Sequence, residues 1–295
     1  MTQVTICATP GCRLPALFHA EQCRQHLPDA AQFFGRLPQW LGTAEGANLA
    51  RVDLRHREIS EAHLHGATLT GALLDGVHLS ESVLEGAVLH GVSARGGEFV
   101  ALEAEGMDAA HAVFTATRWQ HVLLDDARLV GVIWESSELR GVELSRADLT
   151  RAAFRETLFA QCTLVEAWLA EADLANATLD GCDLSWAVLA GARGEGLSLR
   201  RAQLSHANLV GAFLDGADLT EVVACEARFS TATLTGARFS GADLRKAVLR
   251  EADLRGADLA NTDLRGAILE RANLDGANLS GANLEGANVQ GAVLP

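Results

Sequence analysis

Residues 252–261 read Ala-Asp-Leu-Arg-Gly-Ala-Asp-Leu-Ala-Asn, and residues 272–281 read Ala-Asn-Leu-Asp-Gly-Ala-Asn-Leu-Ser-Gly. Both stretches repeat a unit of five residues, in which an alanine precedes a leucine by two positions. The same period runs without a phase slip from Leu49 to Leu294, and 35 of its fifty large positions are leucine. Thirty-one of the fifty small positions, two residues before each large one, are alanine.

This spacing predicts short extended segments joined by corners. Two residues that are two positions apart point to the same side of a strand, so the large and the small side chain of each unit face inward together. Twenty-three of the 28 glycines occupy the second position after the large residue, where a tight turn is expected. Apolar residues at offsets of two and five do not form one stripe on a helix. The sequence therefore predicts an all-β solenoid with a filled interior.

These units resemble the pentapeptide-repeat family over residues 46–295. The resemblance implies a right-handed quadrilateral β-helix with four units, or 20 residues, in each coil, and hence about 12 coils. We expect two domains, a small N-terminal cap over residues 1–45 and the β-helix over residues 46–295.

Several units depart from the repeat. Leu102 and Met107 occupy small positions while Ala104 and Ala109 occupy large ones, an exchange that roughly conserves core volume. We expect residues 94–119 to be distorted but continuous. Gly194 and Ala224 occupy large positions without such an exchange, and a local thinning or bulge is expected at each.

The N-terminal segment contains the one constellation that suggests a metal, and its spacing is C-x4-C-x10-C-x2-H. Three thiolates and one imidazole match a closed tetrahedral zinc site. The run also resembles short bacterial zinc-knuckle segments. We predict one structural zinc ion per chain; the alternatives are three reduced thiols, or His19 as the fourth ligand. The predicted ligands are Cys7, Cys12, Cys23 and His26.

The rest of this segment predicts a plug for the first coil. Asp29 can cap a short helix through Phe33 and Phe34, and Leu37 and Leu41 follow. An open solenoid end exposes apolar core and unpaired strand edge, so such a cover is expected.

The composition limits the possible partners. There are 24 Lys and Arg against 38 Asp and Glu, a net charge of −14, which disfavours binding to a phosphate backbone. No run of about 18 apolar residues is present, and the first residues lack a charged leader followed by an apolar stretch. We expect a cytoplasmic protein with no membrane partner and no direct nucleic-acid partner.

The sequence predicts no enzymatic activity. Lys246 is the only lysine, and no phosphate-binding loop, nucleophile elbow or His-Glu-x-x-His motif is present. The repeat distributes carboxylates everywhere, so none is singled out as a general acid or base. Cys162 and Cys182 occupy small positions 20 residues apart, and we interpret them as buried space-filling residues rather than a redox pair.

Steps of 20 residues place several apolar residues on one outward side. Contiguous exposed apolar groups often mark a partner surface, although scattered surface valines of no consequence would give a similar pattern. The predicted partner-binding residues are Trp168, Trp186, Val188, Val210, Val248 and Ile268.

The last coils suggest a second contact. They are the most regular in the chain, and the final residues 292–295 include no helix that would cover the end. We therefore expect a homodimer joined through the C-terminal coil.

The sequence is compatible with two functions. A rigid rod with an apolar side and no catalytic residues predicts a non-enzymatic protein–protein interaction scaffold or adaptor. The family resemblance implies an alternative, because its quinolone-resistance members are dimeric acidic rods thought to imitate duplex DNA and to bind DNA gyrase or topoisomerase IV. The lack of a C-terminal dimerising helix and of a protruding loop counts against this alternative. Nucleic-acid binding by the zinc segment is weaker still, because residues 1–45 have no net charge.

Overall fold

The computed structural model describes residues 36–295, together with residues 8, 10, 16, 17, 20 and 32. The four predicted zinc ligands and the predicted short helix at Phe33 and Phe34 lie outside these described residues. The described part begins with a 3-10 helix, Leu37–Thr43. Six three-residue strands follow, and they are β1 Glu58–Ser60, β2 His78–Ser80, β3 Glu98–Val100, β4 Arg118–Gln120, β5 Glu138–Arg140 and β6 Leu158–Ala160.

The strands stack in chain order into one parallel sheet, and each residue pairs with the residue 20 positions later. Isolated bridges repeat the same 20-residue step on the other sides of the coil, from Asn48↔Thr68 to Asn273↔Val293. The register gives about twelve coils and confirms the predicted all-β solenoid with 20-residue coils.

Backbone hydrogen bonds explain why the period is strict. Leu129 N–H donates to Asp148 O at 2.8 Å, and Asp148 N–H donates back to Ala127 O at 2.9 Å. At each corner a further bond closes the turn, as where Ala67 N–H donates to Leu64 O at 2.9 Å. One inserted residue would displace every later bond, so the chain keeps its phase.

The corner residues have left-handed backbone angles. All 23 glycines at the predicted corner position have φ between 59° and 74°. Non-glycine residues such as Ala116, with φ of 56°, occupy equivalent corners. Glycine adopts this region without the steric cost that a Cβ brings, so the glycine positions follow from the turn.

The interior is one continuous apolar cluster along the rod. Aromatic side chains fill part of it: Phe99 stacks on Trp119 at 4.2 Å between ring centroids, and Trp134 stacks on Phe154 at 5.8 Å. Trp119 Nε1 donates to Thr117 Oγ1 at 3.0 Å, so a hydroxyl at a small position satisfies a buried indole.

Residues 94–119 are continuous as predicted, because Leu102, Ala104, Met107 and Ala109 are all buried and the bridges continue through them. The expected distortion is absent from this stretch, which keeps the 20-residue register. The expected bulge at Gly194 is wrong. The bridge Arg193↔Phe213 keeps the 20-residue register. A Cβ at Gly194 would lie 2.8 Å from Leu214 Cδ2 and 2.9 Å from Leu197 Cδ2, so these two leucines already fill the space.

Ala224 also keeps its register, through the bridge Val223↔Asp243. At the start of the rod, the 3-10 helix covers the first coil. Leu37 and Leu41 are buried in the common core, and Leu41 O accepts a hydrogen bond from His63 N–H at 2.9 Å. None of the helices in the described part is long and apolar enough to cross a membrane.

Candidate protein-interaction face

One side of the coils carries most of the predicted partner-binding residues. Parallel bridges align Asp148, Trp168, Val188, Asn208 and Arg228 in a single column. We call this side, over the five rows 146–151, 166–171, 186–191, 206–211 and 226–231, the tryptophan face. Trp168 and Trp186 are each 55% exposed, the largest exposure among the large hydrophobic residues of the described part.

The structure brings only part of the predicted set together. Trp168, Trp186, Val188 and Val210 lie on consecutive rows, with Val188 and Val210 half-buried. Asn208 and Arg228 separate Val188 from Val248 and Ile268, so those two form a second, smaller patch about 14 Å away. Trp168, Val188, Val248 and Ile268 do share one outward column, but Asn208 and Arg228 interrupt its apolar surface.

Trp186 occupies a corner, with φ of 64°. Its indole stacks on the imidazole of His206 in the next coil, with ring centroids 4.0 Å apart and planes 14° apart. His206 Nδ1 lies 3.5 Å from Glu226 Oε2, and Lys246 Nζ lies 3.2 Å from Glu226 Oε1. The corner side chains thus form a ladder that fixes the orientation of the exposed indole.

The charges around the tryptophan face are not all neutralised within the chain. Arg146 makes two hydrogen bonds with Asp126, at 2.8 and 2.7 Å, and lowers the pKa of that carboxyl. Asp148 accepts the N–H of Thr150 at 3.1 Å. Within residues 36–295, neither Asp148 nor Arg228 has an oppositely charged group within 4 Å. Two opposite charges four coils apart therefore remain available to a partner.

The sequence did not predict that the aromatic side chain of Phe213 is exposed. Phe213 is 50% exposed on another side of the coil, beside a shallow hollow of about 360 Å³. Arg155 and Asp173 line this hollow and pair with each other at 2.6 Å. A 20-residue step from Arg193 leads to Phe213, so the alignment of columns was the available signal.

The described part contains three free thiols, Cys162, Cys182 and Cys225, and the hydrogen bond with Cys182 lowers the pKa of Cys162. Burial raises the pKa of Cys225, whose Sγ lies 3.5 Å from an Arg245 nitrogen. Cys162 and Cys182 are free and buried, and the contact with Cys162 raises the pKa of Cys182. Among the described residues, no group of three or more metal-ligating side chains could hold an ion.

The acidic charge is concentrated at one end of the rod. Residues 58–126 carry eleven carboxylates and two arginines, a net charge of −9. Residues 226–295 carry nine carboxylates and eight basic residues, a net charge of −1. At that end Val293 and Leu294 are each about half exposed, at 51%.

Comparison with known proteins agrees with the fold. The family model "Pentapeptide repeats (8 copies)" matches residues 47–86, 62–99, 123–161, 167–193, 198–236, 227–266 and 257–294. No curated protein matches the chain.

Among solved structures, HetL, a pentapeptide repeat protein involved in heterocyst differentiation regulation from Nostoc sp. strain PCC 7120, is 29% identical, with a TM-score of 0.37 over 76% of this chain and 89% of its own. A pentapeptide repeat protein of the Arabidopsis thaliana thylakoid lumen is 39% identical, with a TM-score of 0.30 over 30% of this chain and 63% of its own. A trypsin-treated form of QnrB1, a plasmid-mediated fluoroquinolone resistance protein, is 20% identical to this chain, with a TM-score of 0.35 over 69% of this chain and 89% of its own. With the family model matching more than half of its residues, the chain belongs to the pentapeptide-repeat family.

Proposed function

We propose that the protein is a non-enzymatic interaction scaffold that binds a protein partner through the tryptophan face. The observation that carries this proposal is the exposure of Trp168 and Trp186 on adjacent coils of a rigid backbone. Tryptophan is enriched among the residues that dominate binding energy at interfaces. Covering the exposed part of each indole would contribute about 3 kcal/mol before the costs of association, at roughly 25 cal/mol per Å².

The backbone supports this role because it needs no ordering on binding. Each row of the face is hydrogen-bonded to the rows on both sides, as at Leu169 N–H to Val188 O at 2.7 Å. The His206 stack holds Trp186 in one orientation. A surface that is already ordered loses less conformational entropy when it binds.

The test uses the full chain as bait with matched variants. Trp168→Lys should abolish capture of a partner from the native host, and its unfolding transition should match that of the wild type. Leu158→Lys is the control, because Leu158 is 39% exposed on another side of the rod. Equal capture by Trp168→Lys and the wild type would exclude this face.

We also propose that a structural zinc ion stabilises the N-terminal segment. Cys7, Cys12, Cys23 and His26 supply the thiolate and imidazole donors that zinc prefers. When bound, zinc would cross-link this segment, whose 45 residues are too few for a large apolar core.

The acidic first coils favour a second candidate function, the modulation of a type II topoisomerase. A net charge of −9 over residues 58–126 could engage a basic groove. The nearly neutral last third gives no support for a contact along the whole rod. A gyrase supercoiling assay, with and without a quinolone, tests this candidate: protection or inhibition at stoichiometric protein supports it, and no effect excludes it.

A further inference from the structure

We infer that the partner of the tryptophan face is a second copy of this chain, and that two rods associate side by side and antiparallel with the row of Val188 at the twofold axis. This inference rests on the proposed function, because it names the occupant of the same face. It differs from the expected dimer through the C-terminal coil.

The column of outward residues is complementary to itself. In an antiparallel pair with a twofold axis at Val188, the second copy runs past the first in the opposite direction. A row that lies a given number of coils before Val188 in one copy therefore faces the row that lies the same number of coils after Val188 in the other. Asp148 and Arg228 are each two coils from Val188, so Asp148 of one copy faces Arg228 of the other, twice. These residues make no ion pair within the described part of their own chain.

The corner ladder follows the same symmetry. Its residues Arg146, Glu166, Trp186, His206 and Glu226 are spaced 20 residues apart. Trp186 faces Trp186 of the second copy at the axis. Glu166 then faces His206, and Arg146 faces Glu226. Arg146 therefore meets a carboxylate, and Glu166 meets an imidazole whose ring N–H can donate a hydrogen bond to it.

The apolar centre completes the match. Trp168 faces Asn208 of the second copy, whose amide oxygen can accept a bond from the indole N–H. Ala170 faces Val210, and Val188 faces Val188. The least polar rows thus lie at the middle of the interface with the charges around them, as in known protein interfaces.

Other arrangements bring like charges together. In a parallel pair, Arg146 would face Arg151 and Glu166 would face Glu171. An antiparallel pair shifted so that its axis falls between rows 186–191 and 206–211 would place Glu166 opposite Glu226 and Arg146 opposite Lys246. Like-charge contacts suppress wrong pairings, so one register is favoured.

The size of the face predicts weak association. Four steps of about 4.8 Å give a length of about 19 Å, and a side three residues wide measures about 10 Å. Such a patch buries less than the roughly 800 Å² per partner of a standard interface. We therefore expect a dissociation constant in the micromolar range.

A charge swap followed by sedimentation equilibrium tests the inference on the full chain. The wild type should form dimers as its concentration rises to about 200 µM, and high salt should weaken them. Asp148→Arg and Arg228→Asp should each raise the dissociation constant about tenfold, because each creates two like-charge contacts. The double variant Asp148→Arg/Arg228→Asp should restore it to within about threefold of the wild type.

Leu294→Lys is the control, and it should leave this dimer unchanged. The inference is overturned if the wild type stays monomeric, if the double variant fails to restore association, or if Leu294→Lys alone abolishes the dimer. A monomeric wild type whose partner capture is still lost in Trp168→Lys would overturn the dimer and leave the scaffold function standing.

Discussion

The indole of Trp186 stacks on the imidazole of His206, which belongs to the same corner one coil later. The ring centroids lie 4.0 Å apart with the planes 14° from parallel, and Glu226 Oε2 lies 3.5 Å from Nδ1 of the imidazole. A corner of the solenoid repeats every 20 residues, so side chains on it stack as a continuous ladder. This stacking holds a large apolar group in solvent with its orientation already fixed.

The stack should give a measurable coupling energy. His206→Ala and Trp186→Ala should each destabilise the fold slightly, and the double variant should lose less than the sum of the two. We expect a coupling of about 0.5–1 kcal/mol, the range of aromatic pairs, measured by urea unfolding. The control cycle pairs His206→Ala with Trp168→Ala, because Trp168 has no ring partner in the described part of the chain. Equal coupling in the two cycles would contradict the stack.

Corner angles predict that some glycine substitutions stabilise the protein. Ala116 is exposed and has φ of 56°, a region where a Cβ is strained. Ala116→Gly should therefore raise the free energy of unfolding by about 0.5–1 kcal/mol. Ala175 directly precedes the left-handed residue of its turn and has no positive φ itself, so Ala175→Gly should lower stability by a similar amount. A change of the same sign in the free energy of unfolding of both variants would refute the explanation.

The sequence predicted the repeating geometry well because each unit carries its own signal. The alternation of large and small residues fixes which side chains face inward, and the glycines mark the corners. The sequence also contains a residue that fills the space beside Gly194, because Leu197 occupies the next small position. Predicting this contact requires knowing that the Leu197 side chain reaches Gly194 across a corner.

The surface was predicted less well. The five-residue repeat determines whether a side chain points into or out of the solenoid. Only the 20-residue coil length determines which outward side chains are neighbours. Asn208 and Arg228 divide the predicted apolar column for this reason. The stack of Trp186 on His206 depends on side-chain rotamers at a corner, which no periodicity specifies.

A close contact at one corner distinguishes two otherwise equivalent glycines. Gly106 and Gly131 have nearly the same φ, 64° and 63°. A Cβ at Gly131 would lie 2.8 Å from His111 Nδ1, whereas a Cβ at Gly106 would meet nothing within 4 Å. Both alanine variants should lose about 1 kcal/mol from the strained backbone, and Gly131→Ala should lose more because the imidazole must move. Thermal unfolding in a His111→Ala background should make the two losses equal, and a persisting difference would exclude the contact.

Zinc content tests the proposed metal site. Purified full-length protein should contain near one zinc per chain by elemental analysis, because Cys7, Cys12, Cys23 and His26 form one donor set. Cys12→Ser should lower the content sharply. Cys225→Ser is the matched control and should leave it unchanged, since Cys225 lies far along the repeats. Zinc absent from the wild type, or retained in Cys12→Ser, would refute the assignment.

The arginine–aspartate pairs of the last coils predict acid sensitivity. Arg255 donates to Asp253 through Nε at 2.8 Å and through a terminal nitrogen at 2.6 Å, and these bonds lower the pKa of Asp253. A carboxyl whose pKa is lower in the folded state contributes stability above its unfolded value, near 3.9, and loses it as the pH falls through the folded value. Because both side chains are partly exposed, the contribution is at most about 1 kcal/mol.

Arg255→Gln should therefore be less stable than the wild type at pH 7, and the difference should shrink as the pH falls below about 4 and disappear once Asp253 is protonated in both proteins. The measurement is urea unfolding of both proteins between pH 7 and pH 2. Arg228→Gln is the control, because Arg228 has no ion pair within residues 36–295 and its removal should give no pH-dependent difference in the monomer at low concentration. A difference for Arg255→Gln that stays constant from pH 7 to pH 2 would mean that Arg255 stabilises the coil through packing of its aliphatic stem rather than through the carboxylate.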